Sequence, residues 1–195
     1  TEDMAAAYAV FANHGVYNNP KTYLWVEDSA GEILLEKPVS SYVAMKESTA
    51  YLMTKMLQDV VYNGTGGTAQ FEGMSIAGKT GTTEDNFDRY FVGFSPYYVA
   101  AVWVGYPQNE YIDYSFNPAS ILWKQVMQAV HSDLPYTEFM YSRDGIITIE
   151  ICRDSGMLCS QQCHEDPRGD RKMLVEVTEG TEPTTICNFH SSALN

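Results

Sequence analysis

Two hydrophobic periods alternate along this chain, one near 3.6 and one near 2, and the switches between them mark the expected elements. Thr1 stands as a cap before Glu2 and Asp3, where a helix N-terminus favours negative charge. Met4, Ala5, Ala7, Tyr8 and Phe11 then supply apolar positions until Asn13-His14-Gly15 ends the helix. Residues 22–27 and 32–36 are β-leaning runs around Asp28-Ser29-Ala30-Gly31, the pattern of a hairpin. Met53, Met56, Leu57, Val60 and Val61 share one helical face, predicting a helix from Glu47 to Tyr62 that Asn63-Gly64 stops. A Gly/Thr-rich loop, residues 64–68, leads into short strands within 75–82, 90–94 and 99–104. Val99-Ala-Ala-Val-Trp-Val104 has no polar member and is expected to be covered on both faces. Ser95-Pro96 makes it the antiparallel neighbour of the strand before it. Asn117 as cap and Pro118 at the first helical position open a third helix, with Ala119, Leu122, Val126 and Val130 expected to face inward. The order predicts an α+β fold, an antiparallel sheet flanked by helices.

The texture changes after Pro135, where all four cysteines lie among turn-rich segments. Residues 1–134 are therefore expected to form one unit, and 135–195 a small β-leaning, Cys-containing appendage. With 45% hydrophobic and 13% aromatic residues the chain is not a solvated tail. Its net charge of −13 is spread along the length, with 7 basic and 14 acidic residues in 1–130 and 5 and 11 after that. No basic patch interrupts it, so nucleic acid is not an expected partner. No apolar run reaches the length of a membrane span and the first residues carry no signal-peptide pattern, so any membrane anchor of the parent protein is expected to lie upstream of this chain.

The most informative stretch is Gly73-Met-Ser-Ile-Ala-Gly78-Lys79-Thr80-Gly81-Thr82-Thr83. It matches the phosphate-loop pattern G-x-x-x-x-G-K-[ST], but that loop needs a buried strand before it and a helix directly after Lys79-Thr80. Thr68-Ala-Gln-Phe-Glu72 before it does not read as a buried strand, and the turn-prone Gly81-Thr-Thr-Glu-Asp-Asn86 follows, so the nucleotide reading is set aside. The alternative is an extended strand lining a cleft. Lys79 and Gly81 would then share one face and Thr80 and Thr82 the other, unless the strand bends there. Glycine lets a ligand backbone lie close, an ammonium with hydroxyls can hold a carboxylate, and free strand N–H groups can hold an oxyanion.

Residues 76–106, Ile-Ala-Gly-Lys-Thr-Gly-Thr-Thr through Trp-Val-Gly-Tyr, resemble the K-T-G-T-T region of class A penicillin-binding proteins, the bifunctional peptidoglycan synthases. The resemblance extends to residues 4–17, to 49–68, and to Asp154-Ser-Gly156 and Gly180-Thr-Glu-Pro183 with Cys187 and His190 near the end. It implies serine acyl transfer on the D-Ala-D-Ala stem peptides of peptidoglycan, capture of β-lactams, no cofactor, and work on the extracytoplasmic face of the bacterial membrane. By the same resemblance Lys79 and Thr82 are catalytic: Lys79 places positive charge beside the serine, and the Thr82 N–H is one oxyanion donor. Thr80, Gly81 and Thr82 bind the substrate, with the two hydroxyls on its terminal carboxylate. The family orders its motifs S-x-x-K, S-x-N, K-T-G. No S-x-x-K occurs here, and the S-x-N match, Ser115-Phe-Asn117, follows K-T-G where a helix cap is expected. The chain is thus expected to be the C-terminal part of a longer polypeptide and inactive alone. A non-catalytic sensor of β-lactams or wall peptides is the alternative. A β-lactamase is disfavoured, because more than 60 residues follow the third helix. Glu84, Asp85 and Asp88 are read as a solvated turn with a lesser claim on the cleft mouth, and Arg89 as a local ion-pair partner.

Cys152, Cys159, Cys163 and Cys187 permit three pairings as two disulfides, which an extracytoplasmic location would preserve. Free thiols and a metal site involving His164 or His190 are the alternatives. Cys159-x3-Cys163 and Cys187-x2-His190 lack the paired short spacings of structural zinc, so disulfides are favoured and no metal site is assigned.

Overall fold

In the computed structural model, which describes residues 1–190, the chain begins with helix α1, Glu2–Ala12. Ala6 and Val10 are its buried residues, whereas Met4 and Ala7 face outward. The helix ends as anticipated, with Gly15 at φ +90°; a Cβ there would fall 2.2 Å from the Met45 carbonyl oxygen. That close approach lets Gly15 O accept from the N–H groups of Ala44 and Met45. Strand β1 (Val16–Asn18) follows, then β2 (Trp25–Glu27) and β3 (Ile33–Glu36), then β4 (Ser41–Val43), which returns antiparallel onto β1. β2 and β3 form the expected hairpin, and Asp28 Oδ1 organises its turn by accepting from the Ala30 and Glu32 N–H groups at 2.8 and 2.9 Å. Every residue of both strands is exposed, Trp25, Leu34 and Leu35 included.

Helix α2 spans Glu47–Tyr62, as its period predicts, but its inner face is Ala50, Thr54, Leu57 and Val61, and Met56 is exposed. Thr54 can face inward because its hydroxyl bonds Tyr141 OH at 2.9 Å, so a polar residue belongs to the buried stripe. The central sheet is antiparallel in the order β5 (Ala77–Thr82), β6 (Asp88–Phe94), β7 (Val99–Gly105). Phe91, Ala100, Val102 and Val104 face Trp123 and Met127 of α3 (Pro118–Val130). Ala77, Phe94 and Val99 pack with Tyr8, Phe11 and Ala12 of α1. α2 joins both layers, Val61 entering the first cluster and Leu57 the second.

Two expectations are corrected. β7 is not covered on both faces: Trp103 is 42% exposed, its Nε1 donating to Asp88 Oδ1. On α3, Asn117 caps as expected, accepting from Ala119 N–H at 3.0 Å and donating to Tyr90 O at 2.9 Å. Its inward residues, however, are Ala119, Ser120, Trp123 and Met127, while Leu122, Val126 and Val130 are exposed. The indole decides which stripe is buried. It packs edge-on to Phe91 at 5.1 Å and donates to Ala100 O at 3.1 Å, over a Gly93 whose absent side chain leaves room for the ring. Residues 135–141, assigned above to the appendage, pack on this first unit, Phe139 against Phe94 and Tyr141 OH donating to Phe11 O.

The second unit begins at Ser142 and is built on the antiparallel pair β8 (Ile146–Cys152) and β9 (Lys172–Thr178), with the short helix α4 (Gln161–His164) between them in sequence. Its buried cluster is Cys152, Cys163 and Cys187, with Met157 and Cys159 against it. No described helix is long and apolar enough to cross a membrane.

Candidate active-site strand

Lys79, Thr80, Gly81 and Thr82 lie inside β5, opposite Val92, Phe91, Tyr90 and Arg89 of β6. A strand at this place removes the phosphate-loop reading, which required a helix there. Thr83 N–H donates to Asp88 O at 3.3 Å, and this bond sets the phase of the ladder. Bonded and non-bonded pairs alternate between antiparallel strands, so Lys79 and Gly81 exchange bonds with β6 while the N–H and C=O groups of Thr80 and Thr82 point away from it. β5 is the edge of its sheet, so those groups face an open side.

Alternation puts Lys79 and Gly81 on the face of Tyr90 and Val92, and Thr80 and Thr82 on that of Phe91 and Arg89. Lys79 Nζ nonetheless reaches back to the outward-facing Thr80 O at 3.0 Å. A Cβ on Gly81 would press on the Tyr90 side chain at 3.1 Å. Two neighbours escaped the sequence reading. Thr65 Oγ1 sits 2.9 Å from Thr80 Oγ1, and Arg89 Nη1 donates to Thr82 Oγ1 at 3.1 Å. Arg89 thus serves the strand hydroxyl rather than the expected carboxylate, and its buried Nε has no hydrogen-bond partner among the described residues. The hairpin register was the available signal, because a turn centred on residues 83–88 sets Arg89 opposite Thr82. Asp88 is occupied by Trp103, whereas Glu84 and Asp85 stay exposed. The strand edge therefore carries two cations and three hydroxyls in a protein of net charge −13, a local inversion suited to an anionic ligand. Open depressions of about 530 and 300 Å³ lie elsewhere on this unit and include no residue of β5.

Residues 1–128 match the family described as penicillin binding protein transpeptidase domain. The chain belongs to the penicillin-binding protein transpeptidase family. Residues 142–192 match a second description, Penicillin-binding protein 1A, C-terminal domain. Penicillin-binding protein 1A of Clostridium perfringens is 36% identical over 194 residues, which cover 98% of this chain and 23% of that protein. Penicillin-binding protein 1A/1B of Bacillus subtilis is 31% identical over 94% of this chain and 21% of its own length. The chain thus spans less than a quarter of these relatives. Among solved structures, penicillin-binding protein 1A from Haemophilus influenzae superposes with a TM-score of 0.73 at 22% identity, over 95% of this chain and 32% of that one. The D,D-transpeptidase domain of a peptidoglycan glycosyltransferase from Eggerthella lenta gives 0.57 at 27% identity, over 67% and 31%.

Within this family member the S-x-N match at Ser115 and Asn117 is a helix cap, since both side-chain groups of Asn117 are occupied by Ala119 N–H and Tyr90 O. A second serine that invites attention, Ser95, sits 2.7 Å from His131 Nε2. That pair is sealed in the core, and Ser95 Oγ also receives the Tyr97 and Tyr98 N–H groups, so it pins a turn rather than offering a nucleophile.

The four cysteines, expected as disulfides, are all free thiols. Three of them converge on one point with His190 instead of meeting in pairs. Burial pushes Cys159 up to about 11, with the Cys163 and Glu150 charges adding to it. Burial acts the same way on Cys152, but hydrogen bonds from the Asp154 backbone and from His190 outweigh it and bring that thiol down to about 6.

Proposed function

We propose that β5 is the anion-gripping wall of a serine D,D-transpeptidase cleft that takes the D-Ala-D-Ala end of peptidoglycan stem peptides, and β-lactams in their place, outside the cytoplasmic membrane. What carries the reading is the open strand edge, with outward backbone groups and hydroxyls of Thr80 and Thr82 beside Lys79 and Arg89. The Thr80 and Thr82 hydroxyls, with Arg89 behind the second, take the substrate's terminal carboxylate through charge-assisted hydrogen bonds. The outward Thr82 N–H meets the carbonyl oxygen as negative charge develops on it. Lys79 sets an ammonium beside the attacking serine, favouring its deprotonated form during attack. That serine bonds to the carbonyl carbon, the C–N bond to D-alanine breaks, and an amine from a neighbouring stem displaces the serine.

No S-x-x-K occurs in these 195 residues, so the serine and its base come from another segment of a longer protein. The bare hairpin β2–β3 fits this reading, because a two-stranded ribbon with apolar side chains is not stable unpacked.

Thr80→Val and Thr82→Val, introduced singly into the complete polypeptide, each lower the second-order rate of acylation by a fluorescent penicillin by about 10- to 100-fold, the size of a lost hydrogen bond to a charged group. Stopped-flow or gel-based labelling measures it. Unchanged rates in both variants would overturn the carboxylate-binding role.

A further inference from the structure

We propose that Cys152, Cys163, Cys187 and His190 form a closed tetrahedral metal site of the structural zinc class in the second unit, holding together a module too small to be held by an aliphatic core.

The four ligand atoms, three Sγ and one imidazole nitrogen, lie within 4.8 Å of one another, and all four residues are buried. A zinc ion bound at ordinary Zn–S distances sets its sulfurs roughly 3.8 Å apart, so modest rotations of these side chains close the shell. His190 is already aimed. Its Nδ1 meets Asp166 Oδ2 at 2.7 Å, leaving Nε2 3.2 Å from Cys152 Sγ, the carboxylate–histidine arrangement that orients a metal ligand. Asp166 is in turn clamped by Arg168 at 2.9 Å. Asp154 Oδ2 also approaches His190 Nε2, at 3.4 Å, but that carboxylate is taken up by Arg171 and Arg168. Ser160 N–H points at Cys163 Sγ at 3.4 Å, a donor suited to a thiolate.

The buried cluster of this unit is its sulfurs, and a domain this small is marginal unless a disulfide or a metal supports it. Pairing two of three converging sulfurs would leave a buried thiol and an aimed imidazole without a role, whereas a four-ligand ion uses all of them. Spacing along the chain hid the site: Cys187-x2-His190 supplies one half, but the other half is assembled from the end of β8 and from α4. Binding transfers the three thiol protons to solvent and leaves a shell of one net negative charge. Glu150, Cys159 and His164 form a second, partly exposed group in which His164 is already paired with Glu150 and Asp170.

The test uses the whole 195-residue chain, reduced, loaded with zinc and desalted. Elemental analysis is expected to find one zinc per chain, and cobalt(II) in its place to show thiolate charge transfer with the intense visible bands of a tetrahedral site. Cys152→Ser, Cys187→Ser and His190→Ala lose both signals, and Cys159→Ser keeps them. Asp166→Asn, which leaves every ligand in place, weakens zinc about 10- to 100-fold in competition with a chromophoric chelator. Less than stoichiometric metal, an octahedral cobalt spectrum, loss of both signals in Cys159→Ser, or unchanged zinc affinity in Asp166→Asn would overturn the assignment. So would a mass two hydrogens lower in the unreduced chain together with failure of the reduced chain to bind zinc.

Discussion

Lys79→Ala in the complete polypeptide lowers acylation by a β-lactam by roughly 10²–10³-fold under the proposed mechanism, the usual cost of removing a preorganised charge from beside the attacking group. The fold should not notice. Lys79 is exposed, and its ammonium bonds the Thr80 carbonyl oxygen with no ion pair among the described residues, so urea denaturation of the variant shifts by no more than about 0.5 kcal/mol. Lys79→Arg recovers part of the rate, because charge is kept while a planar fork replaces a compact ammonium. A lysine that merely solvates an edge strand would show neither the loss nor the recovery. The rate constant for labelling by a fluorescent penicillin, measured beside the denaturation curve, separates the two roles.

Trp123→Ala lies at the other extreme, costing about 3–5 kcal/mol of stability in the first unit, the range for truncating a buried aromatic residue. The indole is fully buried, packs on Phe91 at 5.1 Å and on Phe71 at 6.3 Å, and donates to Ala100 O. Its removal leaves a cavity over Gly93 and a carbonyl without its donor, two penalties of the same sign. Leu122→Ala on the same helix should cost under about 1 kcal/mol, because Leu122 is 46% exposed. Chemical denaturation of the two variants therefore decides which apolar stripe of α3 holds the sheet; similar losses in both would contradict the packing described.

Local chemistry made the helix limits and hairpins legible. Asn13-His14-Gly15 and Asn63-Gly64 stop helices by backbone preference, Asn117-Pro118 starts one, and Asp28-Ser29-Ala30-Gly31 turns a hairpin whatever surrounds it. Which face of a helix is buried depends on partners distant in sequence, and there the pattern misled. Counting aliphatic residues favoured Leu122, Val126 and Val130, whereas the hollow above Gly93 admits Trp123. Trp103 misled in the same way, since an apolar run does not reveal which face of a strand stays open to solvent. At the strand edge, Lys79, Thr80, Gly81 and Thr82 were visible as a motif. Thr65 and Arg89 were not, because their places depend on a loop conformation and a hairpin register. The sulfur cluster shows the same limit: two of its four members, Cys187 and His190, lie three positions apart along the chain, and the others meet them only after β8 and α4 have formed.

The measurement bearing most directly on β5 as a cleft wall served by a distant nucleophile is peptide mapping of the complete polypeptide after reaction with penicillin. The account predicts one acyl adduct, on a serine outside these 195 residues, and no adduct when this chain is treated alone. An adduct on any residue of the chain itself would contradict it.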